Sequence, residues 1–314
     1  MTDRSSDLPI LRLGTRRSPL AMAQAIETRE RLCAAHGWEE GAVELVPVLA
    51  SGDKIKDRPL AEIGGKALWT KELDAWLAEG HIDASVHSMK DVETQRPPEL
   101  MIAAILPRVD IADVLVGASS IRGLPQGAVV GTSAPRRAAQ LLHARPDCRV
   151  VPIRGNVATR LAKLSAGEAD ATFLAAAGLA RLGETGVGTR LDPEEWFPAP
   201  AQAAIGIECR ADDYRTRELL SAIDDTASHE AVLAERALLA QLSGDCRSPI
   251  AVLTSRDGEE LTIRCALYSP DGSQRLELSA SGPAGKRDWV EGLGHALLDN
   301  LKPGMKPYFG LQQE

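Results

Sequence analysis

Arginines gather in short loops of this chain, each following an apolar run and preceding a helix-like pattern. Two loops read Gly14-Thr15-Arg16-Arg17-Ser18 and Gly131-Thr132-Ser133-Ala134-Pro135-Arg136-Arg137, and a third runs from Arg154 to Arg160. A helix N-terminus offers unpaired N–H groups and a partial positive charge. Guanidinium groups added there create an anion site. The repeated pattern therefore predicts a ligand with several carboxylate or phosphate groups.

A second reactive group is His87-Ser88-Met89-Lys90-Asp91, which ends another apolar run. A carboxylate at the carboxyl end of a strand in an α/β domain faces the ligand crevice. Asp91 is therefore a candidate to move protons or to stabilise a cation. The alternative is a solvated Lys-Asp turn.

Other positions leave two interpretations open. Lys66 begins a predicted helix beside Trp69, either to meet an anion on a mobile loop or only to start an amphipathic helix. Cys246 lies beside an arginine in a predicted loop, where it is either a reactive thiolate or an inert thiol. Arg181 either binds an anion or lies on the surface.

Short apolar runs alternate with helical patterns up to about residue 180, which predicts an α/β fold. The predicted helices cover 19–36, 67–78, 135–144, 157–165, 229–242 and 286–301. The predicted strands cover 10–13, 43–49, 84–87, 101–106, 114–116, 128–130, 150–153, 171–174, 204–208, 250–254, 261–268 and 275–281.

The loops after Leu13 and Val130 share Gly-Thr and a following proline, which indicates two similar domains facing a ligand cleft, although such turns also recur in unrelated proteins. Three prolines between residues 191 and 200 indicate a crossing segment. The strand at 204–208 is expected to return to the first sheet. The predicted division is 1–107 with 201–222, then 108–200, then 223–314.

The 314 residues, 25% charged and 44% hydrophobic, are typical of a soluble globular protein. The net charge of −8 argues against a nucleic-acid partner. No apolar run of about 18 residues predicts a membrane span, and the N-terminal residues lack an apolar signal core, so we expect a cytoplasmic protein. The five cysteines lack a C-x-x-C pair, so we expect neither disulfides nor a metal site.

Seven segments resemble the porphobilinogen deaminases, or hydroxymethylbilane synthases, from about residue 10 to 302. They are LGTRRSPLA at 13–21, GGKALWTKEL at 64–73, HSMKDV at 87–92, RGNVATRL at 154–161, AAAGLARLG at 175–183, GIECR at 206–210 and SGDCRSPI at 243–250. The resemblance implies two periplasmic-binding-protein-like α/β domains facing a cleft, and a small C-terminal α+β domain with a three-stranded sheet.

The resemblance also implies a transferase of tetrapyrrole and haem biosynthesis. Such an enzyme joins four porphobilinogen molecules stepwise to a dipyrromethane cofactor, releases ammonia each time, and then frees hydroxymethylbilane. The cofactor is held by a thioether to the loop cysteine, here Cys246. We expect a monomer. The alternative is a non-catalytic two-lobed protein that binds a polycarboxylate, which needs neither Cys246 nor Asp91.

The matched motifs imply the residue roles. Asp91 is the catalytic carboxylate, which stabilises the cationic pyrrole left when ammonia departs. The residues implied to hold the cofactor are Ser88, Lys90, Asp91, Thr132, Ser133, Arg136, Arg137, Arg154, Arg160 and Cys246. Those implied to bind substrate are Arg16, Ser18, Lys66, Trp69, Arg154, Arg181 and Gln202.

The chain departs from the family pattern at three places. Trp69 stands where many members have phenylalanine, and an indole ring can still stack on a substrate ring. Ala134 replaces a common serine, which removes one hydroxyl. Ala201 and Ala203 replace the glycines of a Gly-Gln-Gly segment, which puts the mobility of the domain crossing in doubt.

Overall fold

Three separate β-sheets organise the molecule. The computed structural model describes residues 9–49, 70–245 and 247–310, so Lys66, Trp69 and Cys246 lie outside the described residues. Two sheets have five strands each and the third has three. The predicted α/β architecture with a three-stranded C-terminal sheet is thus confirmed.

The first sheet forms the first lobe, with strand order β2-β1-β3-β10-β4. Its strands are β1 (Leu11–Arg16), β2 (Val43–Val48), β3 (Ala84–Ser88), β4 (Leu100–Ile105) and β10 (Ile205–Arg210). The first three pair in parallel, whereas β10 is antiparallel to both neighbours. The predicted return of the strand near residue 205 to this sheet is correct.

The second sheet forms the second lobe and repeats this plan, with the order β7-β6-β8-β5-β9. Its strands are β5 (Asp113–Val116), β6 (Val129–Gly131), β7 (Arg149–Val151), β8 (Ala171–Ala175) and β9 (Thr189–Arg190). Strand β6 is parallel to β7 and β8, and β5 is antiparallel to its neighbours. Each lobe therefore has three parallel strands followed by an antiparallel one, as the similar loops predicted.

The helices of the described chain cover these sheets. They are α1 (Pro19–His36), α2 (Lys71–Ala78), α3 (Pro135–Ala144), α4 (Val157–Ser165), α5 (Ala176–Arg181), α6 (Tyr214–Ser221), α7 (Thr226–Gln241) and α8 (Asp288–Asp299). Helix α1 begins after the capping side chain of Ser18 and ends at Gly37, which has a φ of 65°. Helix α6 was not predicted. None of these helices has the length and apolar character needed to cross a membrane.

The C-terminal domain is an antiparallel meander covered by two helices. Strands β11 (Ile250–Asp257), β12 (Glu260–Tyr268) and β13 (Arg275–Pro283) pair in order. Residues of α7 and α8 share one apolar core with these strands, including Leu238, Ile263 and Leu297, each 0% exposed. Helix α7 also packs against the first lobe, where its Val232 belongs to the same buried apolar cluster as Met89 and Ile105.

The crossing segment between the lobes contains two alanines in the left-handed region, Ala201 at a φ of 56° and Ala203 at 69°. An L-residue there costs about 1–2 kcal/mol, whereas glycine adopts it freely. Gln202, between them, donates from Nε2 to the Ile111 carbonyl at 2.7 Å and to Asp113 at 2.9 Å. The segment is therefore held by its surroundings in a conformation that its own residues disfavour.

Candidate active site

Asp91 lies just beyond the end of β3. The strand ends at Ser88, and Met89–Asp91 form one turn of 3-10 helix. Met89 is buried, and its N–H donates to the Ala204 carbonyl at 3.1 Å. Because strand alternation stops here, Lys90 and Asp91 are not forced to opposite faces. The Asp91 carboxylate makes no hydrogen bond or ion pair with any residue that the structure describes.

A pocket of the first lobe opens beside this carboxylate. It is lined by Arg16, Ser18, Leu20, Ala21, Gln24, Thr70, Val86, His87, Ser88, Asp91 and Val92. The buried Gln24 amide exchanges hydrogen bonds with the Ser88 hydroxyl, at 2.8 and 3.1 Å. The structure thus brings together the predicted residues Arg16, Ser18, Ser88 and Asp91.

A cation of the second lobe, Arg160, acts on the same carboxylate. Burial lowers the pKa of Lys90 to about 8, an effect that Asp91 opposes and Arg137 strengthens. Burial likewise lowers the pKa of Arg160 to about 10, with Arg137 and Arg154 acting in the same direction and Asp91 against it. Charges of the two lobes therefore act on one another, and both Lys90 of the first lobe and Arg160 of the second act on Asp91.

Two of the predicted cations have a shared buried partner, Asp113, which is 0% exposed. Arg136 Nη2 donates to it at 2.8 Å, and Arg137 donates from Nη2 at 2.7 Å and from Nε at 3.2 Å. Trp196 Nε1 and Gln202 Nε2 donate to it at 2.9 Å each. Although burial opposes it, Arg136 and Arg137 hold the pKa of Asp113 well below its usual range.

The other predicted residues of the second lobe mainly contact main-chain groups. The Ser133 hydroxyl donates to the Ile153 carbonyl at 3.0 Å, and Thr132 Oγ1 accepts from the Ala134 N–H at 3.1 Å. Arg160 Nε donates to the Gly155 carbonyl at 2.9 Å. These contacts shape the loops, and ligand binding by Thr132, Ser133, Arg154 and Arg160 stays a prediction.

Arg181 and Gln202 lie at the junction of the lobes. Arg181 Nε donates to Glu27 of α1 at 3.1 Å, and its Nη1 donates to the Ala203 carbonyl at 3.2 Å. The Arg181 Nη2 atom, Gln202 Oε1 and Arg136 Nε are buried with no hydrogen-bond partner among the described residues. Three predicted ligand-binding side chains thus retain unused polar atoms.

The segment after Asp91 carries contacts that the sequence did not indicate. Arg96 bonds both oxygens of Glu208, at 2.9 and 2.8 Å, and Asp74 at 2.5 Å. Although burial opposes it, His87 and Arg96 lower the pKa of Glu208 to about 2. Asp74, His87 and Glu208 each place one possible metal-ligand atom within 4.8 Å of the others, but Arg96 already bonds both carboxylates. In the sequence, the only sign of these contacts was that charged residues occur within apolar runs.

The described cysteines are poor nucleophiles. Burial raises the pKa of the Cys33, Cys148 and Cys265 thiols, and raises that of Cys209 to about 11. A thiolate is the reactive form of cysteine. Burial therefore disfavours the reactive thiolate form in each of these four side chains.

Comparison with known proteins gives a consistent result. The family model "Porphobilinogen deaminase, dipyromethane cofactor binding domain" matches residues 11–218, and "Porphobilinogen deaminase, C-terminal domain" matches residues 229–302. The porphobilinogen deaminase of Sphingopyxis alaskensis is 52% identical over 309 residues, covering 95% of this chain and 96% of that protein. The chloroplastic porphobilinogen deaminase of Oryza sativa is 46% identical over 311 residues, covering 96% and 87%.

Solved structures similar to this chain are more distant. The periplasmic VFT2 domain of Bordetella pertussis BvgS is 16% identical and has a TM-score of 0.41, covering 72% of this chain and 90% of that one.

Proposed function

Because the chain belongs to the porphobilinogen deaminase family, we propose that it extends a dipyrromethane primer attached to Cys246, with Asp91 as the catalytic carboxylate. The protein is a transferase of tetrapyrrole biosynthesis that polymerises porphobilinogen. One observation supports the role of Asp91 above all others. It is a carboxylate without a hydrogen-bond partner among the described residues, set among cations of both lobes. The family match does not favour a non-catalytic polycarboxylate binder.

The residues of the cleft fit a ligand with many carboxylates. Lys90 and Arg160 are held among other cations, and their pKa values are lowered to about 8 and about 10. Clustered buried cations are unfavourable unless anions join them. Arg136 and Arg181 each have one buried nitrogen that no described residue bonds. A charge-assisted hydrogen bond to each cation contributes roughly 1.5–3 kcal/mol.

The proposed binding residues divide into two groups. Cofactor carboxylates are held by Lys90, Arg136, Arg137, Arg154 and Arg160, with Ser88, Thr132 and Ser133 adding polar contacts. Substrate carboxylates are held by Arg16, Ser18, Arg154, Arg181 and Gln202, together with Lys66 and Trp69, which lie outside the described residues. The bound dipyrromethane supplies the pyrrole carbon to which the first porphobilinogen is joined.

Asp91 supplies the electrostatic stabilisation. Departure of ammonia from porphobilinogen leaves positive charge on its pyrrole ring, and an ionised carboxylate fixed nearby lowers the energy of that cation. The same carboxylate is placed to accept the ring proton that is lost after the new bond forms. The surrounding cations hold the substrate carboxylates, so that the reacting ring lies close to Asp91.

Cys246 itself lies outside the described residues, and two observations support it as the attachment point. The other four cysteines have raised thiol pKa values. In addition, the Thr94 hydroxyl, three residues after Asp91, donates to the carbonyl of Gly244 at 3.0 Å. The described residues just before Cys246 are therefore fixed beside the segment that carries Asp91.

Intact mass measured under denaturing conditions tests this proposal. The purified wild-type protein is expected to carry a covalent dipyrromethane, and to gain further pyrrole units when porphobilinogen is added. Cys246→Ser should lack the adduct, whereas the control Cys33→Ser should keep it. A wild-type protein without added mass that releases no ammonia from porphobilinogen would contradict the proposal.

The remaining expectations are part of the same proposal. The three sheets support the division into 1–107 with 201–222, 108–200 and 223–314. The net charge of −8 supports the absence of a nucleic-acid partner. We expect a cytoplasmic monomer, and light scattering of the purified protein measures its oligomeric state.

A further inference from the structure

The position of the Asp91 carboxylate depends on the main chain around it. No described side chain donates a hydrogen bond to this carboxylate, so neighbouring groups do not fix its rotamer or its location. The preceding turn is anchored by Met89, whose side chain is 1% exposed. The anchor on the other side must act on the residues that follow Asp91.

That second anchor is Arg236 of α7, which is 7% exposed. Its Nη1 donates to the Val92 carbonyl at 3.2 Å, and its Nη2 donates to the carbonyls of Glu93 and Thr94 at 2.6 and 3.2 Å. One guanidinium thus bonds three successive carbonyls immediately after Asp91. A planar group with a fixed arrangement of donors imposes this geometry more strictly than a lysine could.

The helix that carries Arg236 is itself fixed at the preceding residue. Glu235 is 0% exposed and accepts both Arg108 donors, at 2.6 and 3.1 Å, and the Ala201 N–H at 2.5 Å. The hydrogen bond from Thr94 to the Gly244 carbonyl adds a second contact to the C-terminal domain, at 3.0 Å. The Asp91 segment is therefore held by a domain that contributes no strand to its sheet.

We propose that Arg236 is a positioning residue that sets the location of the Asp91 carboxylate, and that Thr94 makes a smaller contribution to the same positioning. This inference rests on the proposed function, because it assigns Arg236 no contact with substrate or cofactor and a role only through Asp91. The burial of a guanidinium on main-chain carbonyls is costly.

The first test compares Arg236→Gln and Arg236→Lys with Arg256→Gln, a control arginine of the same domain that pairs with Glu230 at 2.6 Å. A misplaced catalytic group costs up to about 100-fold. We expect both Arg236 variants to lower kcat by roughly 10–100-fold with little change in KM. Hydrogen exchange of the amides at 91–94 should accelerate in the apoprotein. The control should match wild type in both measurements.

Thr94→Val removes only one hydroxyl and keeps the inference testable if the Arg236 variants fail to fold. This variant should lower kcat by less than the Arg236 variants do, with little change in KM. It should also speed hydrogen exchange of the amides at 91–94. Unchanged kcat and exchange in Thr94→Val and in every folded Arg236 variant would overturn the inference.

A double-mutant cycle with Asp91→Glu separates positioning from general destabilisation. Because that variant already displaces the carboxylate by one methylene, Arg236→Gln should cost much less in it than in wild type. An equal cost in both backgrounds would contradict the inference.

The failure of the proposed function and the failure of the positioning role can be told apart. If the wild-type protein neither carries the adduct nor consumes porphobilinogen, the proposed function fails. If it does both and Arg236→Gln behaves like Arg256→Gln, only the positioning role fails.

Discussion

The loops after β1 and β6 begin alike and use their arginines differently. Each has Gly-Thr at its start and a helix that opens with proline. In the first lobe, Arg16 precedes the helix and lines the pocket beside Asp91. In the second, Arg136 and Arg137 lie inside the first turn of α3 and are bonded to the buried Asp113. A shift of a few positions relative to the helix start thus separates an arginine that lines the pocket from arginines that a buried carboxylate supports.

The largest expected effect follows from removing that support. Asp113→Asn leaves two buried guanidiniums without a charge partner, which costs about 3–5 kcal/mol of unfolding free energy. Urea denaturation measures this loss. The control Asp110→Asn removes an ion pair with Arg190 at a half-exposed site, so it should cost at most about 1 kcal/mol. Equal losses of unfolding free energy in Asp113→Asn and Asp110→Asn would contradict the claim that the arginines of the second loop depend on a buried charge partner.

Arg16→Gln should show the opposite behaviour. We expect the unfolding free energy to stay within about 1 kcal/mol of wild type, and KM for porphobilinogen to rise roughly 10–100-fold, as the loss of one charge-assisted bond implies. Arg17→Gln is the matched control, because Arg17 is exposed and donates to the Pro47 carbonyl at 3.3 Å. A stability loss in Arg16→Gln without a change in KM would reverse the assignment.

Lys90 offers a pH test of the cationic cleft. A lysine binds carboxylates only while protonated, and burial lowers the pKa of Lys90 to about 8. Loading of the apoprotein with porphobilinogen should therefore be full well below pH 8 and decline as the pH rises through about 8, well before an ordinary lysine titrates near pH 10. Lys90→Arg should move this decline to higher pH, whereas Lys71→Arg, at an exposed site, should leave it in place. A profile unchanged by Lys90→Arg would contradict this role.

The smallest effect concerns the helix caps of the two loops. Ser18 caps α1 by accepting from the Ala21 N–H at 3.3 Å, whereas Ala134 at the start of α3 provides no side-chain cap. Ala134→Ser should therefore raise the unfolding free energy by about 1 kcal/mol, and Ser18→Ala should lower it by a similar amount. Thermal and urea denaturation of the two variants would show whether the caps differ as described.

The sequence predicted local structure well and tertiary partnerships poorly. The bounds of α1, α3 and α4 agree with the prediction because local signals mark them: a capping side chain begins α1 and α4, and a proline at the first position begins α3. Asp113 and Arg236 were missed because their partners lie 23 and 144 positions away in the chain, respectively. Nothing in the neighbouring residues distinguishes such a charge from a surface one, since only the folded chain decides what it contacts.

The same limit applies to the candidate site. One pocket brings together Arg16, Ser88 and Asp91. This was predictable, because the carboxyl ends of neighbouring parallel strands lie at the same edge of a sheet. The pairing of Arg181 with Glu27 joins α5 to α1 and depends on how the two lobes meet. No local pattern encodes that arrangement.

Ammonia release by Asp91→Asn tests the central claim most directly. The variant keeps the shape of the side chain and removes its charge. We expect the rate to fall roughly 1,000-fold, with the thermal unfolding temperature close to that of the control Glu99→Gln, which should remain fully active. An Asp91→Asn protein that releases ammonia within about 10-fold of the wild-type rate, well short of the loss expected for a catalytic charge, would contradict the account.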